Sequence, residues 1–207
     1  MTDPLVRHQL HRATTAQEAT DAAALIATAF SSLSVSEWVV PDAPSRVGVL
    51  AEVFEILVGH ALDHGEIHLV SGAGVAIGAA VWFHADTPVP PPPDYDARLR
   101  AAAGELTPRF AQLDDLFEAN HPDAPHHYLA FLAVRPAEQN AGIGETLLRH
   151  HHSHLDAIGM PGYLEASTLG SRRLYLRHGY HPHGRDFAVP NGALFYPLWR
   201  PPVSPSG

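Results

Sequence analysis

Leu132-Ala133-Val134-Arg135-Pro136-Ala137-Glu138-Gln139-Asn140-Ala141-Gly142-Ile143-Gly144-Glu145 runs from an apolar strand through a proline turn to two glycines one residue apart. Leu147, Leu148, His151 and Leu155 follow at helical spacing, so the passage reads strand, tight turn, amphipathic helix. The first turn of such a helix carries unpaired N–H groups and the positive end of the helix dipole. Glycine lets a ligand approach that backbone, so a phosphate or pyrophosphate can be held by main chain alone. Strand–helix junctions also carry Gly-x-Gly for packing reasons, so the decision between the two rests on the rest of the chain.

Downstream, the residues predict a strand over 162–166, a short helix ending at Gly179, and two last strands, roughly 181–189 and 193–199, joined at Asn191-Gly192. Upstream, a strand over 127–134 precedes the turn, and Thr107-Pro108 opens a helix with Phe110, Leu113 and Phe117 on one side. Strands are expected over 66–70 and 75–83, the latter buried on both faces. A long helix begins near Pro44, and Thr15-Ala16-Gln17-Glu18 is a capping box for an earlier one. Segment 87–93 holds five prolines and reads as a loop within the fold. Alternating strands and helices closed by an antiparallel hairpin imply an α/β fold with a mixed sheet. One domain over 1–200 is expected, with 201–207 as a flexible tail.

The 207 residues include no cysteine, and all 13 basic side chains are arginine. Disulfides, thiolate nucleophiles, thiolate zinc sites, Schiff-base lysines and lysine-dependent phosphate loops are therefore excluded. Residues 1–134 carry 17 acids against 6 arginines, and residues 135–207 carry 5 against 7. The acidic first part argues against a nucleic-acid surface, and the basic remainder suits a small polyanion. The opening residues lack the apolar core of a secretory signal, and the longest apolar stretch, over 73–83, is too short to span a membrane. A cytoplasmic protein is the expectation.

Gln139-x-x-Gly142-x-Gly144 after a Val-x-Pro turn resembles the pyrophosphate loop of the GCN5-related N-acetyltransferases (GNAT). Leu164-Glu165-Ala166-Ser167, and then Leu174-Tyr175-Leu176-Arg177-His178-Gly179-Tyr180, resemble that family's next strand and its Leu-Tyr-x-x-x-Gly-Phe helix. More narrowly, the chain length, the Leu-Glu-x-Ser strand, the helix before His121-Pro122 and the Pro-x-Gly turn at 190–192 resemble puromycin N-acetyltransferase-like members. Two positions depart from the family pattern. Ser171 stands where asparagine is common, and Asn140 stands where a basic or small residue follows the glutamine.

The resemblance implies a mixed, mostly antiparallel sheet flanked by helices, and acetyl-CoA as acetyl donor. Main chain of Leu132 and Val134 would pair with the pantetheine arm, and amides of Gln139, Asn140, Ala141, Gly142, Ile143, Gly144 and Glu145 would hold the pyrophosphate, with Ser171 nearby. An N–H near Ala133 or Val134 would stabilise the oxyanion. Tyr175 would protonate the departing thiolate, and Glu165 would take the amine proton. Trp38 and Asp42 would shape an acceptor pocket, and Arg172 or Arg173 would reach a phosphate. The implied activity is direct acetylation of a small-molecule primary amine, by a monomer or homodimer without nucleic acid or membrane. Acetylation of a protein lysine or N-terminus, and a non-catalytic acetyl-CoA-binding module, remain the alternatives.

His150 and His154 share a helix face, but 16 histidines in a lysine-free chain read as compositional bias. No acid or cysteine completes the set, so no metal site is expected. Ser167 lacks the elbow sequence of a serine hydrolase.

Overall fold

The computed structural model describes residues 8–203; the start of the chain and residues 204–207 of the expected tail lie outside the described residues. In chain order the elements are β1 (Gln9–Arg12), α1 (Ala16–Phe30), α2 (Ser34–Val39), α3 (Ala43–His64), β2 (Gly65–Gly72), β3 (Val75–Ala85), α4 (Tyr95–Ala103) and α5 (Thr107–Asn120). There follow β4 (His126–Val134), α6 (Ile143–Ile158), β5 (Gly162–Ala166), α7 (Leu169–Arg177), β6 (His181–Pro182), β7 (Phe187–Ala188) and β8 (Leu194–Arg200).

The strands form one eight-stranded sheet in the order β1-β2-β3-β4-β5-β8-β6, with β7 also on β8. Every pairing is antiparallel except β4 with β5. On one face, Ala22, Leu25 and Ile26 of α1 and Val58 and Ala61 of α3 pack onto Ala79, Val81 and Phe131. On the other, Leu147, Leu148 and Leu155 of α6 meet Ala80, Trp82 and Leu129, with Tyr175 and Tyr180 beside them. A third cluster joins α2, α3, α4 and α5 through Val39, Leu50, Val53, Leu99 and Phe110.

Local chemistry explains the element ends. The Thr15 hydroxyl accepts from the Glu18 amide at 3.2 Å and the Glu18 carboxylate accepts from the Thr15 amide at 3.1 Å, which completes the capping box of α1. Gly78 is glycine because α6 passes close over β3: a Cβ there would lie 2.5 Å from the Ile143 Cγ2. The proline segment is an ordered connection, since His60 Nε2 lies 2.8 Å from the Pro90 carbonyl. It leads into α4, a helix the proline run conceals in the sequence. The strand expected over 181–189 is instead two two-residue pieces, β6 and β7. Gly184 at φ 70° turns the chain between them, and strand alternation cannot continue through that conformation. The turn at Asn191-Gly192 is present, and Asn191 donates to the Ser34 carbonyl at 2.8 Å, tying the hairpin to α2.

Gly78→Ala should lower stability by about 1–3 kcal/mol, because Ile143 is β-branched and cannot swing aside. Urea titration of the two proteins measures the difference.

Candidate active site

β4 and β5 pair only at His127–Gly162 and Tyr128–Tyr163, then diverge. The gap opens a cavity of about 1080 Å³ whose wall includes Leu132, Ala133, Val134, residues 138–140 and 142–145 of the turn (Ala141 is not among them), Glu165, Ser171 and Tyr175. The outer half of β4 stays paired with β3 through Ala80–Leu132, Ala79–Ala133 and Gly78–Val134. Arg135 donates to the Ile77 carbonyl at 2.8 Å. In an antiparallel ladder the residues alternate, so Arg135 and Ala133 turn their N–H and C=O toward β3. Leu132 and Val134 turn theirs toward the cavity, and Gln139 Nε2 accordingly reaches the Val134 carbonyl at 3.3 Å. Of the two oxyanion donors expected from sequence, Ala133 is spent in the sheet and Val134 is free to face the gap.

The turn itself presents donors. Gln139 is extended, Asn140 is left-handed at φ 65°, and Gly142 is left-handed at φ 80° as the N-cap of α6. Asparagine is among the few side-chain-bearing residues that tolerate this region, which accounts for Asn140 in place of a basic residue. No side chain caps α6, and its first internal bond runs from the Thr146 amide to the Gly142 carbonyl at 2.9 Å. The amides of Ile143, Gly144 and Glu145 therefore have no intrahelical acceptor, and these residues line the cavity. Such donors at the positive helix end fit a diphosphate.

Glu165 projects from β5 into the cavity wall, and its Oε1 has no hydrogen-bond partner among the described residues. Burial pushes its pKa up to about 7, while the phenols of Tyr163 and Tyr128 beside it hold the rise in check. Tyr175, on α7, is 7% exposed and lines the same cavity. Burial alone raises its phenol above the ordinary value, so it stays protonated at neutral pH.

Several expected residues stand elsewhere or are otherwise engaged. Asp42 is exposed and caps α3, accepting from the Ser45 hydroxyl and, at 3.1 Å, from the Ser45 amide, which together lower its pKa. Trp38 packs against the cluster of α2–α5, and Arg109 donates to its carbonyl. Neither lines the cavity, because α2 turns Val35, Ser36 and Val39 toward it instead. Ser171 does line it, but its hydroxyl serves the α7 capping box, accepting from the Thr168 amide at 3.2 Å. The Arg172 guanidinium lies over the Tyr196 ring, 4.8 Å from its centroid, and Arg177 is the arginine in the cavity wall.

The sequence reading missed Asp114. It faces the cavity from α5, and Tyr95 of α4 donates to it at 2.8 Å. Burial raises its pKa to about 6 against the pull of that hydrogen bond. The available signal was its spacing: Asp114 is four residues after Phe110, on the stripe that continues to Phe117 and Glu118. Phe30, Phe54, Phe110, Phe117 and Phe195 complete an aromatic wall around it.

Residues 109–180 match the model described as "Acetyltransferase (GNAT) family". Across nearly the whole chain the fold is that of solved acetyltransferases. A structure from Corynebacterium glutamicum described as histone acetyltransferase HPA2 and related acetyltransferase superposes at TM-score 0.71 and 24% identity, covering 97% of this chain and 99% of its own. The ribosomal-protein-S18-alanine N-acetyltransferase of Escherichia coli matches at TM-score 0.58 and 14% identity over 97% of both chains. PaiA N-acetyltransferase from Thermoplasma acidophilum, solved with coenzyme A, matches at TM-score 0.57 and 10% identity over 93% of this chain and 99% of its own. Residues 109–180 thus match a GNAT family model, and the fold over nearly the whole chain is one shared with solved acetyltransferases. Among the described residues no helix is long and apolar enough to cross a membrane.

Gly142→Val should abolish coenzyme A binding, because a β-branched residue resists φ 80° and the loop must refit. The left-handed strain is about 1–2 kcal/mol, so the melting temperature should fall by only a few degrees. Calorimetry with coenzyme A and a thermal scan separate the two effects.

Proposed function

We propose that this protein acetylates the primary amine of a small molecule by direct attack on acetyl-CoA, and that the amine is carried on an aromatic or apolar body. The observation that carries this reading is the continuity of one cavity from the α6 amides to a pocket with aromatic walls and a half-buried Asp114. A carboxylate attracts an ammonium, and rings desolvate the rest of the molecule. A deep pocket of this kind favours a compact acceptor over an extended polypeptide. The Leu164–Ser167 stretch and the turn at 190–192 support a place among puromycin N-acetyltransferase-like enzymes.

Bound acetyl-CoA supplies the thioester; the chain supplies position and protons. The α6 amides hold the diphosphate, and main chain of Leu132 and Val134 aligns the arm as an added strand would. Glu165 takes a proton from the ammonium, which frees the nitrogen lone pair to form the new N–C bond. The Val134 N–H stabilises the oxyanion; losing such a donor typically costs about 3 kcal/mol. As the C–S bond breaks, Tyr175 gives its proton to the thiolate, and the surplus proton on the acylated nitrogen passes to the phenolate, whose proton affinity burial has raised. Glu165 near 7 suits a base at neutral pH, and a protonated Tyr175 suits an acid.

Three outcomes are expected. Tyr175→Phe should cut kcat by about 10²–10³ while leaving acetyl-CoA binding nearly unchanged, read by thiol release and calorimetry. An unaltered kcat would remove Tyr175 from the chemistry. In the wild type kcat/KM should climb with pH until about 7 and then level, as Glu165 loses its proton; in Glu165→Gln that limb should vanish. Asp114→Asn should raise KM for cationic aromatic amines about tenfold without changing KM for acetyl-CoA. Turnover on peptides but on no amine of a varied panel would overturn the small-molecule assignment.

A further inference from the structure

Away from the cavity, the fold assembles a group of polar side chains that the sequence scatters. Glu66 and His68 lie on β2, and His151 lies on α6, a separation of more than 80 residues in the chain. Glu66 Oε2 is 2.8 Å from His68 Nε2 and 3.7 Å from His151 Nδ1, and the two ring nitrogens are 3.4 Å apart. None of these residues lines the acetyl-CoA cavity.

Three donor atoms at those separations describe one face of a tetrahedron. Zinc ligands at about 2.0–2.1 Å from the ion lie about 3.3 Å from one another in tetrahedral geometry. We propose that Glu66, His68 and His151 form a divalent transition-metal site of the zinc type, linking β2 to α6. Two imidazole nitrogens and one carboxylate oxygen suit zinc, and the fourth position is left for water or for His150, whose ring centroid lies 4.7 Å from that of His68.

The surroundings are arranged as an outer shell. His151 Nε2 lies 3.0 Å from His127 Nδ1, so a His151 bound through Nδ1 donates its remaining proton to a neighbouring acceptor. The His151 ring is stacked on Trp82 at 4.1 Å between centroids, which fixes its plane. Glu66 Oε1, the oxygen outside the triangle, faces Arg12 at 3.4 Å and His84 at 3.7 Å. The Glu66 side chain is 15% exposed and those of His68 and His151 are 4% and 0%, so the site is nearly closed yet has an opening beside the carboxylate. Tautomer choice lets His151 donate to His127 across 3.0 Å, whereas His68 Nε2 and His151 Nδ1, 3.4 Å apart, both also face Glu66 Oε2, the arrangement an ion would take up. The missing acid that argued against a site within 150–154 is thus supplied by Glu66 from another strand.

The test uses the full chain without a histidine tag, stripped with a chelator and dialysed. Titration with Zn²⁺ followed by calorimetry should show one ion per chain, and Co²⁺ should give the intense visible absorption of a four-coordinate site. At a hundredfold excess over Kd the melting temperature should rise by about 5–10 °C. Glu66→Gln and His68→Gln should each lose the Co²⁺ spectrum and the melting shift, with circular dichroism confirming that they fold. The double variant His150→Gln, His154→Gln should retain both, unless His150 is the fourth ligand, in which case the Co²⁺ bands shift while uptake persists. Absence of stoichiometric uptake by the wild type overturns the proposal. So does undiminished uptake by folded Glu66→Gln and His68→Gln, and so does uptake lost only in the His150, His154 variant.

Discussion

The parting of β4 from β5 is the constraint on which the rest of the molecule depends. The two strands share only two residue pairs before β5 turns to pair antiparallel with β8 and β4 continues along β3. Each strand therefore keeps one satisfied edge. The other edge of β4, at Leu132 and Val134, is left with main-chain groups that need partners. Because α6 begins just beyond, its uncapped amides open onto the same gap. A single topological feature thus places an acceptor for a strand-like chain beside an acceptor for an anion.

The same gap sets the electrostatics. Glu165 on β5 and Tyr175 on α7 both line it, and burial raises the pKa of both. The effect differs because their starting values differ. The carboxyl arrives near 7, where it exchanges protons readily; the phenol moves further from neutrality and stays a donor. Asp114 is a third case, with burial opposed by the hydrogen bond from Tyr95, and it remains mostly ionised at neutral pH. One apolar environment thus gives three acids different protonation behaviour.

α6 connects two regions of different chemistry. Its first turn faces the cavity through backbone alone, and its middle faces β2 and β3 through imidazoles. Leu147, Leu148 and Leu155 pack between them with no measurable exposure. This accounts for a helix whose sequence looks biased in composition yet whose histidines divide cleanly: His151 and His152 are buried against the sheet, and His150 and His154 face outward.

Much of the fold was legible from short-range signals. The strand–turn–helix at 132–145, the capping box at Thr15 and the turn at Asn191-Gly192 depend on backbone preferences of a few adjacent residues, and these operate wherever the segment ends up. Tyr175 and Glu165, singled out through motif resemblance, both line the cavity wall. Trp38 and Asp42, expected at an acceptor pocket, do not line this cavity, because their neighbours, not their own chemistry, decide which side of α2 and α3 meets it. Asp114 was passed over because its role needs Tyr95, and α4 was hidden behind prolines.

The amino-acid sequence by itself determined the capping box at Thr15, the turn at Asn191-Gly192 and the glycine-bearing start of α6, since those are properties of local sterics and hydrogen bonding. Only the tertiary structure decided which edges stay unpaired, which carboxylates lose their water and which donors converge from β2 and α6. Strand partnership and burial depend on residues far apart in the chain, and desolvation exists only once they have met.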